Sequence, residues 1–138
     1  MLGSDVSAVT GALMSAQEVR ADAQRLVGLI RRSRLDLSSE KRLQEDLAGV
    51  LERGNLAFAR ETRLSAEDIP DFFLPGGIVI ECKMRGKARK IDVYRQLERY
   101  AQHDQVAAII LATNLSIGLP PSLCEKPLYF ASLSAGWI

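Results

Sequence analysis

The side chains best suited to chemistry are those of Asp71, Glu81 and Lys83, near the middle of the chain. Two carboxylates that lie close together suit Mg²⁺, which takes oxygen ligands and needs only one or two carboxylates besides water and substrate phosphates. A nearby ammonium stabilises negative charge that develops on a phosphate. These three residue types therefore indicate metal-assisted attack on a phosphate ester, provided that the fold brings them together.

A predicted hairpin decides whether the two carboxylates meet. Two segments rich in β-branched and aromatic residues, Ile69–Leu74 and Ile78–Lys83, flank the turn sequence Pro75-Gly76-Gly77. If the turn has three residues, counting back along the strands places Asp71 opposite Glu81, with Cβ atoms about 5 Å apart. A two-residue turn would move Asp71 to a diagonal position relative to Glu81.

Alternation along the strands predicts which side chains share a face. Asp71, Glu81 and Lys83 point to one side of the sheet, whereas Cys82 points to the other. Opposed like charges destabilise a sheet, which favours a bridging cation or another compensation. The alternative is that Asp71 is an ordinary polar residue at a strand start and that Glu81 and Lys83 form a solvated strand end. The strongly apolar run before Glu81 favours the functional interpretation.

Two helices are predicted before the hairpin. The first, Ser15–Arg34, has apolar residues at helical spacing and arginines on its other faces. The second, Glu40–Arg53, follows a capping Ser38 or Ser39 and ends at Gly54. These elements would pack their apolar faces on a sheet.

Four further elements complete the predicted order α-α-β-β-β-α-β-β. They are a first strand at Ala57–Leu64, a third helix at Ile91–His103, a buried strand at Val106–Thr113 and an edge strand at Leu128–Leu133. This order predicts the α/β class, with a mixed β-sheet flanked by helices. We expect one domain over residues 1–138, with a helical extension at 1–36 and the core at 37–138.

Composition is that of a globular protein. Of 138 residues, 47% are hydrophobic and 25% charged, which excludes a disordered chain. The net charge of +1 means that attraction for an acidic partner must come from local clusters of Arg and Lys. Two cysteines make no disulfide framework and favour a reducing, cytoplasmic setting. Neither an export signal at Met1–Ala16 nor a membrane span is expected.

At the hairpin the chain resembles the PD-(D/E)XK nuclease superfamily, whose name describes Pro70-Asp71 and Glu81-Cys82-Lys83 as they stand here. The resemblance covers Glu40–Thr113 and includes Gln96, placed as the helix-borne glutamine of that superfamily often is. It is strongest with small phage, mobile-element and resolvase-like members. The resemblance implies a restriction-endonuclease-like core. Nothing outside this core looks like a separate target-recognition domain, so long sequence specificity is not expected.

The resemblance also implies a division of roles at the site. Asp71 and Glu81 would hold one or two divalent ions, Mg²⁺ with Mn²⁺ able to substitute, and the Cys82 backbone carbonyl would be a further ligand. Lys83 would orient or activate the attacking water and stabilise charge on the phosphate. Gln96 would bind a phosphate, a water or a metal ligand from the third helix.

Glu40 is a further candidate for the catalytic set. It is in register with the apolar residues Leu43 and Leu47, so it can face inward from the start of the second helix. An equally good explanation is that an acidic residue in a first turn favours the helix dipole. Glu61 is a weaker candidate, for which a salt bridge is the better interpretation.

A basic segment follows the site. Nucleic-acid contacts are predicted for the cations of this loop and of the next helix, which are Arg85, Lys87, Arg89, Lys90, Arg95 and Arg99. Phosphate contacts of this kind carry no sequence information. The alternative is a merely solvated loop. We expect Tyr100 to pack, Phe130 and Trp137 to lie in the core or an interface, and His103 to have no catalytic role.

The sequence thus predicts a metal-dependent nuclease that cleaves phosphodiester bonds of nucleic acid, DNA rather than RNA, with branched or structured DNA among its candidate substrates. The first alternative is a non-catalytic nucleic-acid-binding or assembly subunit with the same fold. The second is a structural interaction protein in which the N-terminal helix packs on the core or forms a homodimer. Intact Asp71, Glu81 and Lys83 favour the enzyme.

Overall fold

The computed structural model describes residues 14–133. Within that range the chain forms three helices, α1 (Ala16–Arg32), α2 (Glu40–Arg53) and α3 (Lys90–Ala101). It also forms six strands, β1 (Ala59–Arg60), β2 (Phe72–Leu74), β3 (Ile78–Lys83), β4 (Ala108–Thr113), β5 (Ser122–Leu123) and β6 (Lys126–Ser132). The protein is of the α/β class, as predicted, and its sheet is mixed.

The sheet has the strand order β1-β2-β3-β4-β6-β5. The first three strands are antiparallel neighbours, while β3, β4 and β6 run parallel. The prediction that Leu128–Leu133 forms an edge strand is wrong, because this strand, β6, lies inside the sheet. Its outer side pairs with the short β5, which was not predicted from the sequence. Since parallel strands end at the same edge, the carboxyl ends of β3, β4 and β6 lie together.

The strands before the hairpin are shorter than predicted. Instead of Ala57–Leu64, only Ala59–Arg60 is extended and paired, because Glu61 adopts a left-handed conformation with φ of 55° that ends the strand. The following loop folds around Asp68, whose carbonyl accepts hydrogen bonds from the backbone N–H groups of Leu64 and Ser65. The next strand accordingly begins at Phe72 rather than at Ile69.

Capping explains where the first two helices begin. Ser15 and Glu18 form a reciprocal capping box at the start of α1, and Ser39 accepts a hydrogen bond from the Arg42 N–H at the start of α2. The bounds predicted for α2 are confirmed. The predicted α1 extends too far at both ends, because Ser15 is its cap and Ser33 is already extended. The predicted α3 begins one residue late and ends two residues late.

Two apolar layers hold the sheet between the helices. On one face, α1 packs against β4 and β6 while α2 packs against β3, and this layer includes Val19, Leu26, Leu47 and Ile80. On the other face, α3 packs against β4. The apolar stripe of α1, which lies in the predicted helical extension, is buried in the first layer. No helix within residues 14–133 is long and apolar enough to cross a bilayer.

Candidate active site

The hairpin has the register that brings the carboxylates together. Leu74 pairs with Ile78 across a three-residue turn, and the same register continued toward the open end of the hairpin places Asp71 beside Glu81. The turn is closed by a hydrogen bond of 3.1 Å from the Gly77 N–H to the Leu74 carbonyl. Gly77 has φ of 86°, and a Cβ atom there would lie 2.3 Å from the Gln105 carbonyl oxygen, so only glycine fits.

Hydrogen bonds lock the predicted residues to one another. The Asp71 N–H donates to Glu81 Oε1 at 3.2 Å, and the Cys82 N–H donates to Asp71 Oδ2 at 2.8 Å. Lys83 Nζ lies 3.3 Å from Glu81 Oε2, and the Glu81 side chain is only 4% exposed. Asp71, Glu81 and Lys83 are thus brought to one point at the carboxyl end of β3.

Burial changes the electrostatics of the two carboxyl groups. Loss of hydration raises the pKa of Asp71 to about 6, against the opposing effects of the Cys82 N–H and Lys83. Loss of hydration, together with repulsion from Asp71, raises the pKa of Glu81 to about 7. Binding of a proton or a cation by the two carboxyl groups is therefore more favourable than leaving both of them ionised without a compensating charge.

A buried tyrosine completes the surroundings of Glu81. Tyr100 Oη donates to Glu81 Oε1 at 3.2 Å, and Gln96 Nε2 donates to Tyr100 Oη at 3.0 Å. Burial and the negative Glu81 raise the pKa of the Tyr100 hydroxyl, which keeps it a neutral hydrogen-bond donor. Gln96, predicted to act directly, thus reaches the site through Tyr100. The signal available in the sequence was the spacing of four residues between them, which places both on one helix face.

Glu40, predicted as a further member of the catalytic set, lies beside the end of β3 but makes no hydrogen bond to Asp71 or Glu81 within the described residues. Its Oε2 accepts a hydrogen bond of 3.1 Å from the Met84 N–H, just after β3. Its negative charge contributes to the raised pKa of Asp71. Cys82 is fully buried in the layer under α1 and α2, so its side chain faces away from the site, as predicted.

Arg60 is a neighbour of the site that the sequence analysis did not single out. Its guanidinium carbon lies 5.0 Å from the centre of the Phe72 ring, against which it is held by a cation–π contact. Its charge lowers the pKa of Asp71, partly opposing the effect of burial. Arg60 is exposed on the edge strand β1 and so faces solvent beside the carboxylates.

The predicted basic surface divides into two kinds of cation. Four of the six predicted cations, Arg85, Lys87, Lys90 and Arg95, are exposed and form no ion pair with residues 14–133. The other two are paired, Arg89 with Asp92 and Arg99 with Asp68, both at 2.9 Å. The loop is also anchored, because the Arg85 N–H donates to Asn114 Oδ1 at 2.7 Å. The structure therefore separates cations that are free to meet an anion from cations already partly neutralised.

The remaining predictions concern ring side chains. His103 lies away from the carboxylate pair and its Nε2 is 2.8 Å from Asp68 Oδ2. Phe130 is partly buried and packs in the layer under α3, as predicted. Trp137 lies outside the described residues.

The donor set at this site consists of two carboxylates. Within residues 14–133 there is no group of three or more His, Cys, Asp or Glu side chains placed to hold a metal ion. Asp71 Oδ1 accepts no hydrogen bond from the described part of the chain, whereas both oxygens of Glu81 have partners. Comparison with protein-family models, curated proteins and solved structures finds no match to this chain.

Proposed function

We propose that this protein is a divalent-metal-dependent nuclease that hydrolyses phosphodiester bonds of DNA. The observation that carries the proposal is the convergence of two buried carboxylates and an ammonium, Asp71, Glu81 and Lys83, at the end of β3. Burying two adjacent carboxylates is unfavourable unless a cation or protons compensate. A structural role alone gives no reason for that arrangement, whereas metal-assisted phosphoryl chemistry does.

The fold supports a restriction-endonuclease-like core within this proposal. An antiparallel hairpin, β2–β3, leads through the crossover helix α3 into the parallel strand β4, with α2 on the opposite face. The order of these elements agrees with the core expected from the PD-(D/E)XK resemblance. Pro70-Asp71 and Glu81-Cys82-Lys83 stand at the end of the hairpin that this core uses for its site.

The residues present fit Mg²⁺ by donor chemistry. Asp71 Oδ1 has no hydrogen bond within the described chain, and the raised pKa values of both carboxyl groups reflect a site that gains from positive charge. Mg²⁺ or Mn²⁺ would be held by Asp71 and Glu81, with the Cys82 carbonyl as the proposed third ligand from the protein. Two carboxylates are enough, because this ion keeps waters and takes phosphate oxygens from the substrate. When bound, it would polarise the phosphate and lower the pKa of a coordinated water.

The chain's own groups have separable tasks in this mechanism. Lys83, held 3.3 Å from Glu81, places a positive charge where negative charge develops on the phosphate. Tyr100 donates to Glu81 Oε1 and so orients that carboxylate and favours its ionised form, while Gln96 orients the tyrosine hydroxyl. The Cys82 N–H holds Asp71 in the same way. Each carboxylate is thus oriented by a hydrogen bond from another residue of the protein, Asp71 by the Cys82 N–H and Glu81 by the Tyr100 hydroxyl.

Exposed cations around the site support a nucleic-acid substrate. Arg60, Arg85, Lys87 and Arg95 are exposed on the elements that surround the carboxylates. Because these contacts would be to phosphates, we propose cleavage without long sequence specificity, with structured or branched DNA among the substrates to test first.

The free cysteines, one buried and one exposed, agree with the proposed cytoplasmic setting.

The proposal is tested by incubating the purified protein with linear, circular, single-stranded and branched DNA and with RNA, in Mg²⁺, Mn²⁺ or chelator. We expect cleavage of DNA in either metal and none in chelator. Binding without cleavage on every substrate and in both metals would contradict the proposal and favour the non-catalytic nucleic-acid-binding subunit.

A further inference from the structure

A polar cleft of about 280 Å³ lies between α3 and the loop that precedes this helix, beside the carboxylate site. Its polar lining consists of Lys83, Arg95, Gln96, Arg99 and one acidic residue, Asp92. Lys83 also contacts Glu81, so the cleft and the candidate active site share a side chain. Two of the three cations, Lys83 and Arg99, are paired with Glu81 and Asp68, so the suitability of the cleft for an anion depends on which of their donor groups remain unused.

Arg99 differs from Arg95, the other arginine of the cleft, because a buried carboxylate holds it. Its Nε donates to Asp68 Oδ1 at 2.9 Å, and Asp68 Oδ2 is bound to His103 at 2.8 Å. The Asp68 side chain is 9% exposed, whereas that of Arg99 is 47% exposed. The carboxylate is therefore fixed inside the protein while the guanidinium reaches the surface of the cleft.

The geometry leaves most of the guanidinium available. Asp68 uses only Nε, and the Arg99 side chain makes no other hydrogen bond or ion pair within residues 14–133. The two Nη groups remain, and they are the fork that binds a phosphate through two parallel hydrogen bonds. Although burial acts to raise the pKa of Asp68, the bonds from His103 and Arg99 hold it below its usual value. Asp68 therefore remains ionised at neutral pH and keeps its hold on Arg99.

The other paired arginine of this region provides the contrast. Arg89 makes two hydrogen bonds to Asp92, at 2.9 and 3.3 Å, with side chains that are 77% and 49% exposed. Because both side chains are exposed to water, Asp92 holds the Arg89 guanidinium only weakly in one orientation. Orienting a long side chain before binding reduces the entropy that binding must overcome. Of the four arginines between residues 85 and 99, only Arg99 has a buried acidic partner that can orient it.

We propose that this cleft is a phosphate subsite, in which Asp68 orients Arg99 to hold a DNA backbone phosphate next to the one that is cleaved. The inference rests on the proposed nuclease function, because a nucleic-acid strand supplies a second phosphate beside the reacting one. It adds that the strand runs from the carboxylates across the face of α3. Asp68 is a positioning residue, since it acts through Arg99.

The first test measures oligonucleotide binding in chelator, where cleavage does not interfere. Arg99→Gln should weaken binding about tenfold or more, because the lost hydrogen bonds are to a charged group. Arg99→Lys should lose nearly as much, since it keeps the charge but not the fork. The matched control is Arg20→Gln, an exposed arginine on α1, on the opposite face of the sheet, which should change binding less than twofold.

Asp68→Asn separates orientation from charge. If Asp68 only neutralised Arg99, removing its negative charge would tighten binding to DNA. Orientation by Asp68 requires the opposite result, several-fold weaker binding. Tighter binding by Asp68→Asn, or unchanged binding by Arg99→Lys, would overturn the inference. If Asp68→Asn fails to fold, Arg99→Lys decides, because it leaves Asp68 in place.

The second test locates the phosphate. Branched DNA, whose junction fixes the binding register, should be bound more weakly by the native protein when a single neutral methylphosphonate replaces the phosphate at one particular position, and Arg99→Gln should abolish that position dependence. Inorganic phosphate should compete only weakly. Arg99-dependent binding of inorganic phosphate as tight as that of the oligonucleotide would instead assign the cleft to a free anion. Because all these measurements are made without metal, a protein that shows the pattern but cuts nothing contradicts the nuclease proposal alone.

Discussion

The backbone N–H of Asp71 donates a 3.2 Å hydrogen bond to Oε1 of Glu81, and the two carboxylates consequently lie side by side at the end of the hairpin. Burial raises their pKa values to about 6 for Asp71 and about 7 for Glu81, above those of the unfolded chain. The folded state therefore binds protons more tightly than the unfolded state between about pH 4 and pH 7. The contribution of this pair to the free energy of unfolding falls as the pH rises through that window.

Asp71→Asn should consequently stabilise the protein in chelator at neutral pH, by up to roughly 1 kcal/mol, because it removes the repulsion between opposed carboxylates. The asparagine oxygen can still accept the Cys82 N–H. The thermal midpoint of the variant should exceed that of the native protein at pH 8, and the difference should shrink at pH 5. A difference in thermal midpoint that does not change with pH would contradict the assigned repulsion between Asp71 and Glu81.

Metal should narrow this difference between the variant and the native protein. Mg²⁺ or Mn²⁺ binds the assembled site better than the unfolded chain, so the native protein should gain stability with metal concentration. Asp71→Asn should gain much less, which narrows the gap seen in chelator. The measurement is a thermal-shift titration of both proteins, with Ca²⁺ as a further hard cation. Equal responses of the two proteins would mean that Asp71 is not a ligand.

Removal of a catalytic side chain should nearly abolish cleavage while the fold is kept. Asp71→Ala, Glu81→Ala and Lys83→Ala should each lower the cleavage rate by about 10²-fold or more, the magnitude typical of a lost electrostatic stabiliser. Arg20→Gln, far from the site on α1, is the control and should keep full activity. Thermal unfolding shows whether each variant is folded. A folded, fully active Lys83→Ala protein would exclude the mechanism proposed for Lys83.

Tyr100→Phe tests the hydrogen bond to Glu81 with little change in packing, because the buried ring remains. Without the donor, the ionised form of Glu81 is less stable, so its pKa should rise further. The acid side of the pH–rate profile for cleavage should therefore move to higher pH. The lost hydrogen bond should lower stability by about 1 kcal/mol. A reduced rate with an unshifted profile would assign Tyr100 to packing alone.

The basic loop should act through phosphate contacts. Neutralising Lys87, Arg89 and Lys90 together should weaken binding to every DNA sequence and flatten its dependence on salt, because fewer counterions are released. Lys87→Gln alone should change the salt slope more than Arg89→Gln, since Arg89 is already paired with Asp92. An unchanged slope in the triple variant would mean that the loop is only solvated.

The hairpin turn offers a stability test with a matched control. Gly77→Ala places a Cβ atom 2.3 Å from the Gln105 carbonyl oxygen, whereas Gly86 has a similar positive φ, of 82°, but open space around it. Gly86→Ala should therefore lower the free energy of unfolding by only about 1–2 kcal/mol, the conformational cost of the left-handed region. Gly77→Ala should lower it by clearly more in denaturant titrations. Equal losses would show that the close approach at Gly77 is relieved without cost.

Local patterns in the sequence determined the parts of this protein that depend on neighbouring residues. The helix α2 begins after Ser39 and ends at Gly54, because a cap and a stop act within one turn of the helix. The turn Pro75-Gly76-Gly77 sets the register of the hairpin, and strand alternation then places Asp71 and Glu81 together. The α/β class and the three central residues of the candidate site were predictable for this reason.

Only the tertiary structure decided what surrounds those residues. Tyr100 meets Glu81, and Arg99 meets Asp68, because α3 packs across the sheet and brings together side chains that are 19 and 31 positions apart. The interior position of β6 likewise depends on its pairing with both β4 and β5. Such contacts result from the packing of whole elements, whose relative placement minimises exposed apolar surface over the entire domain, so that no local pattern of residues encodes them.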